Sequence, residues 1–247
     1  MKIGLISDTH YGFDEKSHGI HEEFWKKLAE ETKESPLDLL IHAGDWATAD
    51  FQFEIEESLK IIRKYFPNLK ILTTWGNHDY WSRKVKSLME IEMIQKDICN
   101  KYNVHSLEDQ GMFQIGNVKF VGFNGWYGNS LNPPTKDMLF MPSQINGCPT
   151  HLYLSQQAYK ALDKVLETEV KEDEKLVVVS HFPTFVDLQQ YESLAANFAF
   201  HEHIISKADY FCVGHSHQKV DRIEGKCRIL NCGTNYNKLV LKTFEIK

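Results

Sequence analysis

Five short segments constrain this chain more than anything else in it. Lys2–Ser7 (KIGLIS), 37–45 (LDLLIHAGD), 69–74, 176–181 (LVVVSH) and the run inside 208–217 (ADYFCVGHSH) are apolar almost throughout instead of alternating. A strand that is apolar on both faces belongs in a sheet covered on two sides. Helical patterns lie between these strands. They fall at 21–31, from Phe51 through Ile55, Leu59, Ile62 and Phe66 to a stop at Pro67, at about 82–99, and at 154–170 with Ala158, Leu162, Val165 and Leu166 inward. MFQIG and VKFVGF, split by Gly116-Asn117, read as a hairpin, and CRILNCGTN and KLVLKTFEI alternate like strands. The expectation is α/β: one domain over 1–247, a sandwich of mixed sheets with helices outside. A stretch near 124–151, rich in Gly, Asn and Pro, reads as a long loop, and loops of that length in compact domains are functional or mobile.

What matters for function is how the apolar strands stop. The first runs into Asp8-Thr9-His10, the second into Gly44-Asp45, and the third into Gly76-Asn77-His78-Asp79. The fourth ends in His181 and the fifth in Gly214-His215-Ser216-His217. A single Asp after a strand is usually a turn or a helix cap, and a single His is usually a hydrogen-bonded structural residue. Five such endings in one chain are not all caps. In α/β sheets the carboxyl ends of the strands are where sites assemble.

Carboxylate and imidazole donors, mixed O and N, suit borderline first-row divalent metals rather than calcium, and a sulfur-based structural zinc site does not match these residue types. Two ions held ~3.5–4 Å apart by a shared carboxylate are a common device for attacking phosphorus. Asp45, following Gly44, is the natural candidate for the shared group.

The ordered set D-T-H, G-D, G-N-H-D, a strand-terminal H and G-H-S-H resembles the calcineurin-like metallophosphoesterase superfamily. The match runs from residue 8 to 217 and includes every motif. The resemblance implies a four-layer α-β-β-α sandwich of two mixed β-sheets flanked by helices. It implies that Asp8, His10 and His217 hold one metal, that Asn77, His181 and His215 hold the other, and that Asp45 bridges them. His78 would face the substrate and protonate the leaving group, and Asp79 would position or polarise His78. The activity implied is hydrolysis of phosphodiester or phosphomonoester bonds by a metal-bridging hydroxide. The cofactors would be two divalent ions drawn from Mn, Fe, Zn or Co, with Mn favoured.

Protein phosphatases resembling calcineurin continue G-D with V-D-R-G and use G-N-H-E; here the segments are GDWATAD and GNHD, which favours a phosphodiesterase. The substrate expected is a phosphate ester, either a small molecule or a nucleotide. A net charge of −6 and the lack of any Lys/Arg run do not indicate a nucleic-acid face. A nucleic-acid-processing phosphodiesterase remains an alternative, as does a catalytically silent scaffold, though a scaffold has no use for His78. Trp46, Trp75, Trp81, Trp126 and Tyr127 lie near the motifs and read first as packing. Against that reading, Asn124–Tyr127 is the candidate for one substrate wall, and Phe182-Pro183-Thr184 with the segment to His203 for the other. Arg83 is close enough in sequence to reach a phosphate, and reads equally well as a surface residue of a helix. His42 reads as a core residue, and His201 and His203, at a helix start, stand outside the site.

No stretch has the apolar length of a membrane helix, and the N-terminal apolar run is broken too early by Asp8 and His10 for a signal peptide. The five cysteines are scattered, which fits reduced thiols and a cytoplasmic location; Cys227 and Cys232 read as structural, on a pair of strands.

Overall fold

A computed structural model describes residues 1–82, 84, 85, 87–126, 141, 142, 144, 145, 148–185, 200–236 and 238–247, with backbone alone at 144, 145, 148 and 149. Its first sheet contains β1 (Lys2–Ile6), β2 (Leu39–Ala43), β3 (Lys70–Thr74), β4 (Val104–Ser106) and, at its edge, β13 (Lys242–Glu245). The order is β13-β1-β2-β3-β4, with β1 to β4 parallel and β13 antiparallel to β1. The second sheet contains β5 (Phe113–Ile115), β6 (Val118–Phe123), β9 (Lys175–Ser180), β10 (Tyr210–Val213), β11 (Lys219–Glu224) and β12 (Cys227–Cys232). Its order is β11-β12-β10-β9-β6-β5, parallel through the middle and antiparallel at both edges. A short antiparallel pair, β7 (Gln144–Ile145) and β8 (Cys148–Pro149), stands apart.

The strands are apolar on both sides because each side is covered. Ile3, Leu5, Leu39, Ile41 and Leu72 of the first sheet meet Phe120, Val177, Val179, Cys212 and Leu230 of the second in an apolar layer. Intervening residues such as Ile6, Leu40, Ile71, Val178, Phe211 and Val213 face outward to helices. Helices α1 (Ser17–Glu31), α2 (Phe51–Tyr65) and α3 (Leu88–Tyr102) cover the first sheet, using Trp25, Ile55, Leu59, Ile62 and Ile91. Helices α4 (Thr150–Glu167) and α5 (His201–Lys207) lie on the second, with Ala158, Leu162, Val165 and Ile204 inward. This is the four-layer α-β-β-α sandwich the sequence implied.

Several boundaries differ from the sequence pattern. Helix α1 starts at Ser17 rather than 21, and α3 starts at Leu88 rather than near 82. Among the described residues between β3 and α3, His78–Tyr80 form a 3₁₀ turn, where the chain carries its site residues. The stretch expected as a loop to 151 already holds β7, β8 and the start of α4 at Thr150; residues 127–140 of it lie outside the described residues. Cys227 and Cys232 stand on one strand, β12, and not on two; both are buried.

Candidate active site

The polar strand ends converge at one edge of the sandwich. Directly after β1, β2 and β10 the chain enters the left-handed region at residues with side chains: Asp8 (φ 53°), His10 (41°), Asp45 (57°), His215 (61°) and His217 (54°). Such backbone is costly for residues other than glycine, and it persists only where the surroundings over-determine it. Here they do. The Asp8, His10 and Tyr11 amides donate to the carbonyls of Gly44, Asp45 and Trp46 at 2.9, 3.1 and 2.9 Å. The His215 amide donates to Asp8 Oδ1 at 2.8 Å, and the Gly214 amide to the His181 carbonyl at 3.0 Å.

Two glycines make the close approach possible. Gly44 has φ +84°, and a Cβ there would lie 2.6 Å from His181 Nδ1. A Cβ on Gly76 would lie 2.1 Å from Asp45 Oδ1 and 2.5 Å from the Asp45 amide nitrogen. The glycines that precede Asp45 and Asn77 in sequence are therefore what allows the ends of β2, β3 and β9 to meet.

Asp8, His10 and His217 bring ligand atoms within 4.8 Å of one another, as do His10, Asp45 and His78, and Asp45, His181 and His215. The three groups form a chain, sharing His10 and then Asp45. Asn77 joins through Oδ1, 3.2 Å from His181 Nε2. Asp8, His10, Asp45, Asn77, His78, His181, His215 and His217 thus form one connected cluster of possible ligand atoms.

The hydrogen bonds fix how the imidazoles are oriented. His10 Nδ1 donates to the Ala47 carbonyl at 3.0 Å, His181 Nδ1 to Ala43 at 2.9 Å, His217 Nδ1 to Thr234 at 3.0 Å and His78 Nδ1 to Thr48 at 2.8 Å. A carbonyl can only accept, so the proton is on Nδ1 and the lone pair of each neutral ring is on Nε2. Those lone pairs point at carboxylates: His10 Nε2 and His181 Nε2 lie 3.5 and 3.4 Å from Asp45 Oδ2, and His217 Nε2 lies 3.9 Å from Asp8 Oδ1. Among the described residues, buried His10 Nε2 has no hydrogen-bond partner. Acceptors facing acceptors in a buried space call for a cation between them, and a donor set of N and O without S fits a borderline divalent metal.

Proton affinities carry the same message. Burial alone would raise the Asp45 carboxyl, but His181 and His78 outweigh it and hold it well below the usual range. Burial would lower His181, yet Asp45 and Asp8 push it up to about 9, so the space beside Asp45 favours positive charge. Burial takes His10 down to about 3 against the pull of Asp45, and lowers His215 strongly with help from His181. Asp8 is raised, chiefly by burial.

Asp79 requires a correction. It does not touch the His78 imidazole, whose Nδ1 bonds to Thr48. Its carboxylate instead accepts four backbone N–H groups: Asp45 and Gly76 on Oδ2 at 2.9 and 2.8 Å, and Trp46 and Ala47 on Oδ1 at 2.9 and 3.1 Å. Successive side chains in a 3₁₀ turn diverge by about 120°, so His78 and Asp79 cannot face one another. Burial and the Asp45 charge raise the Asp79 carboxyl to about 7. Its contacts make it a clamp on the loop that carries Asp45.

The expected substrate walls also need revision. Trp126 and Phe182 are 1% and 0% exposed and pack on each other at 5.3 Å, while Thr184 is buried and bonds His201 Nδ1 at 2.9 Å. Trp46 stacks on His42 at 3.5 Å, and Trp81 lies 3.7 Å from the His78 ring, steadying the imidazole. Arg83 and Tyr127 lie outside the described residues. Two residues absent from the sequence reading stand at the site: Tyr236, 4.4 Å ring to ring from His10, and Phe13, stacked on Tyr236.

A profile for the calcineurin-like phosphoesterase superfamily domain matches residues 1–240, and the chain belongs to that superfamily. The fold is shared with a candidate 5′-nucleotidase of Staphylococcus aureus in complex with α-ketoglutarate: TM-score 0.57, 16% identity, 98% of this chain and 52% of that one. It is also shared with the NAD nucleotidase of Haemophilus influenzae: TM-score 0.52, 12% identity, 99% of this chain and 49% of that one. This chain therefore spans about half the length of those structures. No curated protein matches it. Among the described residues, no helix is long and apolar enough to cross a membrane.

Proposed function

We propose that residues 1–247 act as one dinuclear metal-dependent phosphoesterase, with a preference for phosphodiesters. The observation that supports this best is Asp45: its carboxylate is shared between a donor group that contains His10 and one that contains His181 and His215. In this reading Asp8, His10 and His217 hold one divalent ion, Asn77, His181 and His215 hold the other, and Asp45 joins them, with manganese favoured. When bound, such ions neutralise charge on the phosphoryl oxygens and acidify water.

The chain's own groups supply the rest. His78 is anchored through Nδ1 to Thr48 and braced by Trp81, which leaves Nε2 facing the donor cluster. A proton on that nitrogen can pass to the departing oxygen. Asp79 fixes the backbone that carries Asp45, and the Asp45 carboxylate in turn accepts the His78 amide at 2.9 Å, so acid and ligand are held in register. The 5′-nucleotidase and NAD nucleotidase assignments of the structural neighbours agree with a phosphate ester of nucleotide size.

The test is a screen of divalent metals against bis(p-nitrophenyl) phosphate and p-nitrophenyl phosphate, with metal content measured on the same samples. Diester hydrolysis exceeding monoester hydrolysis is expected. Absence of any hydrolysis by metal-replete protein sinks the proposal, and activity with fewer than about two ions per chain sinks its two-ion form.

A further inference from the structure

Phe13 and Tyr236 stand at the mouth of the donor cluster and are 46% and 38% exposed. They come from opposite ends of the chain: Phe13 from the loop after β1, Tyr236 from the segment between β12 and β13. The Tyr236 ring lies 4.4 Å from the His10 ring and 5.0 Å from that of His217, and the Phe13 ring lies 4.5 Å from Tyr236, at an interplanar angle of 29°. His10 and His217 are themselves parallel, at 5.3 Å and 7°. The result is a column of flat rings that begins at buried donors and ends in solvent.

The turn that presents Phe13 is built for this position. The Phe13 amide donates to the His10 carbonyl at 3.1 Å, and Gly12 adopts φ +89° where a Cβ would meet the Glu54 side chain at 2.4 Å. The other large aromatics near the donors, Trp46, Trp75, Trp81, Trp126 and Phe182, are buried. Among the described residues, Phe13 and Tyr236 are thus the exposed aromatic surface beside the donors.

We propose that Phe13 and Tyr236 form a stacking platform for a flat ring carried by the phosphate ester, which makes the substrate a nucleotide or nucleotide diester and not a sugar phosphate. Every nucleobase has a π-face, and stacking on an aromatic side chain tolerates any base. The inference deepens the proposed phosphoesterase reading, on which it rests for the phosphate end alone.

The deciding experiment has two arms. In the first, saturation-transfer NMR is recorded on metal-free protein with adenosine 5′-monophosphate, where catalysis plays no part. Saturation should reach the base protons H2 and H8 more strongly than the ribose protons. It should fall several-fold in Phe13→Ala and Tyr236→Ala and persist in Tyr236→Phe, which keeps the ring. Base protons that receive no more saturation than the ribose, equal transfer in both alanine variants, or loss in Tyr236→Phe would each overturn the platform. Circular dichroism and melting curves confirm that each variant is folded, and if one alanine variant unfolds, the other and Tyr236→Phe decide. In the second arm, the ratio of kcat/KM for the adenosine ester to that for ribose 5-phosphate is measured on metal-loaded protein. That ratio should fall about tenfold in each alanine variant, mainly through KM; an unchanged ratio overturns the platform. If the wild type hydrolyses no ester at all, the phosphoesterase reading fails, while the first arm still decides the platform.

Discussion

The layer between the two sheets and the loops at their strand ends are neighbours along every strand, yet they obey opposite rules. Between the sheets, Ile3, Leu5, Ile41, Val177 and Val179 pack in one apolar cluster. A few residues further on, Asp8, Asp45, His10 and His181 are just as buried, the backbone turns left-handed, and imidazole lone pairs face carboxylates. The first region gains stability from burial; the second spends it on strain and unmatched charge. The contrast teaches that the sandwich core holds the site in a geometry the site would not hold alone. Stability and activity should therefore separate under mutation.

The sharpest separation is expected at Asp45→Asn. Asn keeps an oxygen for the His78 amide and offers N–H groups to the nitrogens of His10 and His181, so the metal-free protein should melt close to wild type. The shared negative ligand is lost, and kcat/KM for bis(p-nitrophenyl) phosphate should drop about a thousandfold, with bound metal reduced in elemental analysis. A large loss of metal-free stability would break the comparison. His78→Ala comes next. It should retain metal and stability yet lose about a hundredfold or more in kcat for esters with poor leaving groups, and less for p-nitrophenolate, which departs without a proton. Equal losses for both leaving groups would remove the proton-donor role.

In the core the expectation reverses. Leu5→Ala leaves a cavity between the sheets and should cost about 2–5 kcal/mol in denaturant unfolding, with kcat per folded molecule nearly unchanged. Chelation should act in the same direction, toward the lower end of that range. Removing an ion present at about a hundred times its dissociation constant takes away roughly 2.7 kcal/mol, visible as a lower melting temperature in EDTA that Asp45→Asn no longer shows.

The same contrast explains what could be read from sequence. The sheets were legible because strands apolar on both faces have few other uses, and the donors because Asp, His and Asn recur where those strands stop. The partner of Asp79 was not legible. Adjacency to His78 suggested a pair, but a 3₁₀ turn sends the two side chains apart, and the four amides that Asp79 accepts belong to Gly76 and to a loop more than thirty positions away. Phe13 and Tyr236 were missed for a different reason: an aromatic residue in a loop has no period, and nothing in sequence brings residue 236 to residue 10. Trp126 and Phe182 look equally well placed in sequence and are buried.

The smallest effect concerns a carboxylate whose charge the chain matches by itself. Asp221 on β11 accepts Arg228 Nε and Nη2 of β12 at 2.9 and 3.0 Å, and Lys242 Nζ of β13 at 2.5 Å, so the cluster clasps the edges of both sheets. Arg228 and Lys242 hold the Asp221 carboxyl well below the usual carboxylate range. A depressed folded-state pKa stabilises above the unfolded value of 3.8 and ceases to do so as pH falls toward the folded one. Partly exposed pairs are screened by solvent, which limits the gain to about 0.5–1 kcal/mol, or about 2 °C in a chain of this size. Asp221→Asn should therefore melt about 2 °C below wild type at pH 7, by less in high salt, and by progressively less below about pH 4, as the wild-type carboxyl takes up its proton. Asp45 differs in that imidazoles, chiefly His181 and His78, hold its charge while Asp8 and Asp79 oppose it, so its counter-charge has to come from an imidazolium or from a metal. If Asp221→Asn were neutral at pH 7, the clasp would be geometry without energy, and matched charge would no longer set the sheet edges apart from the site.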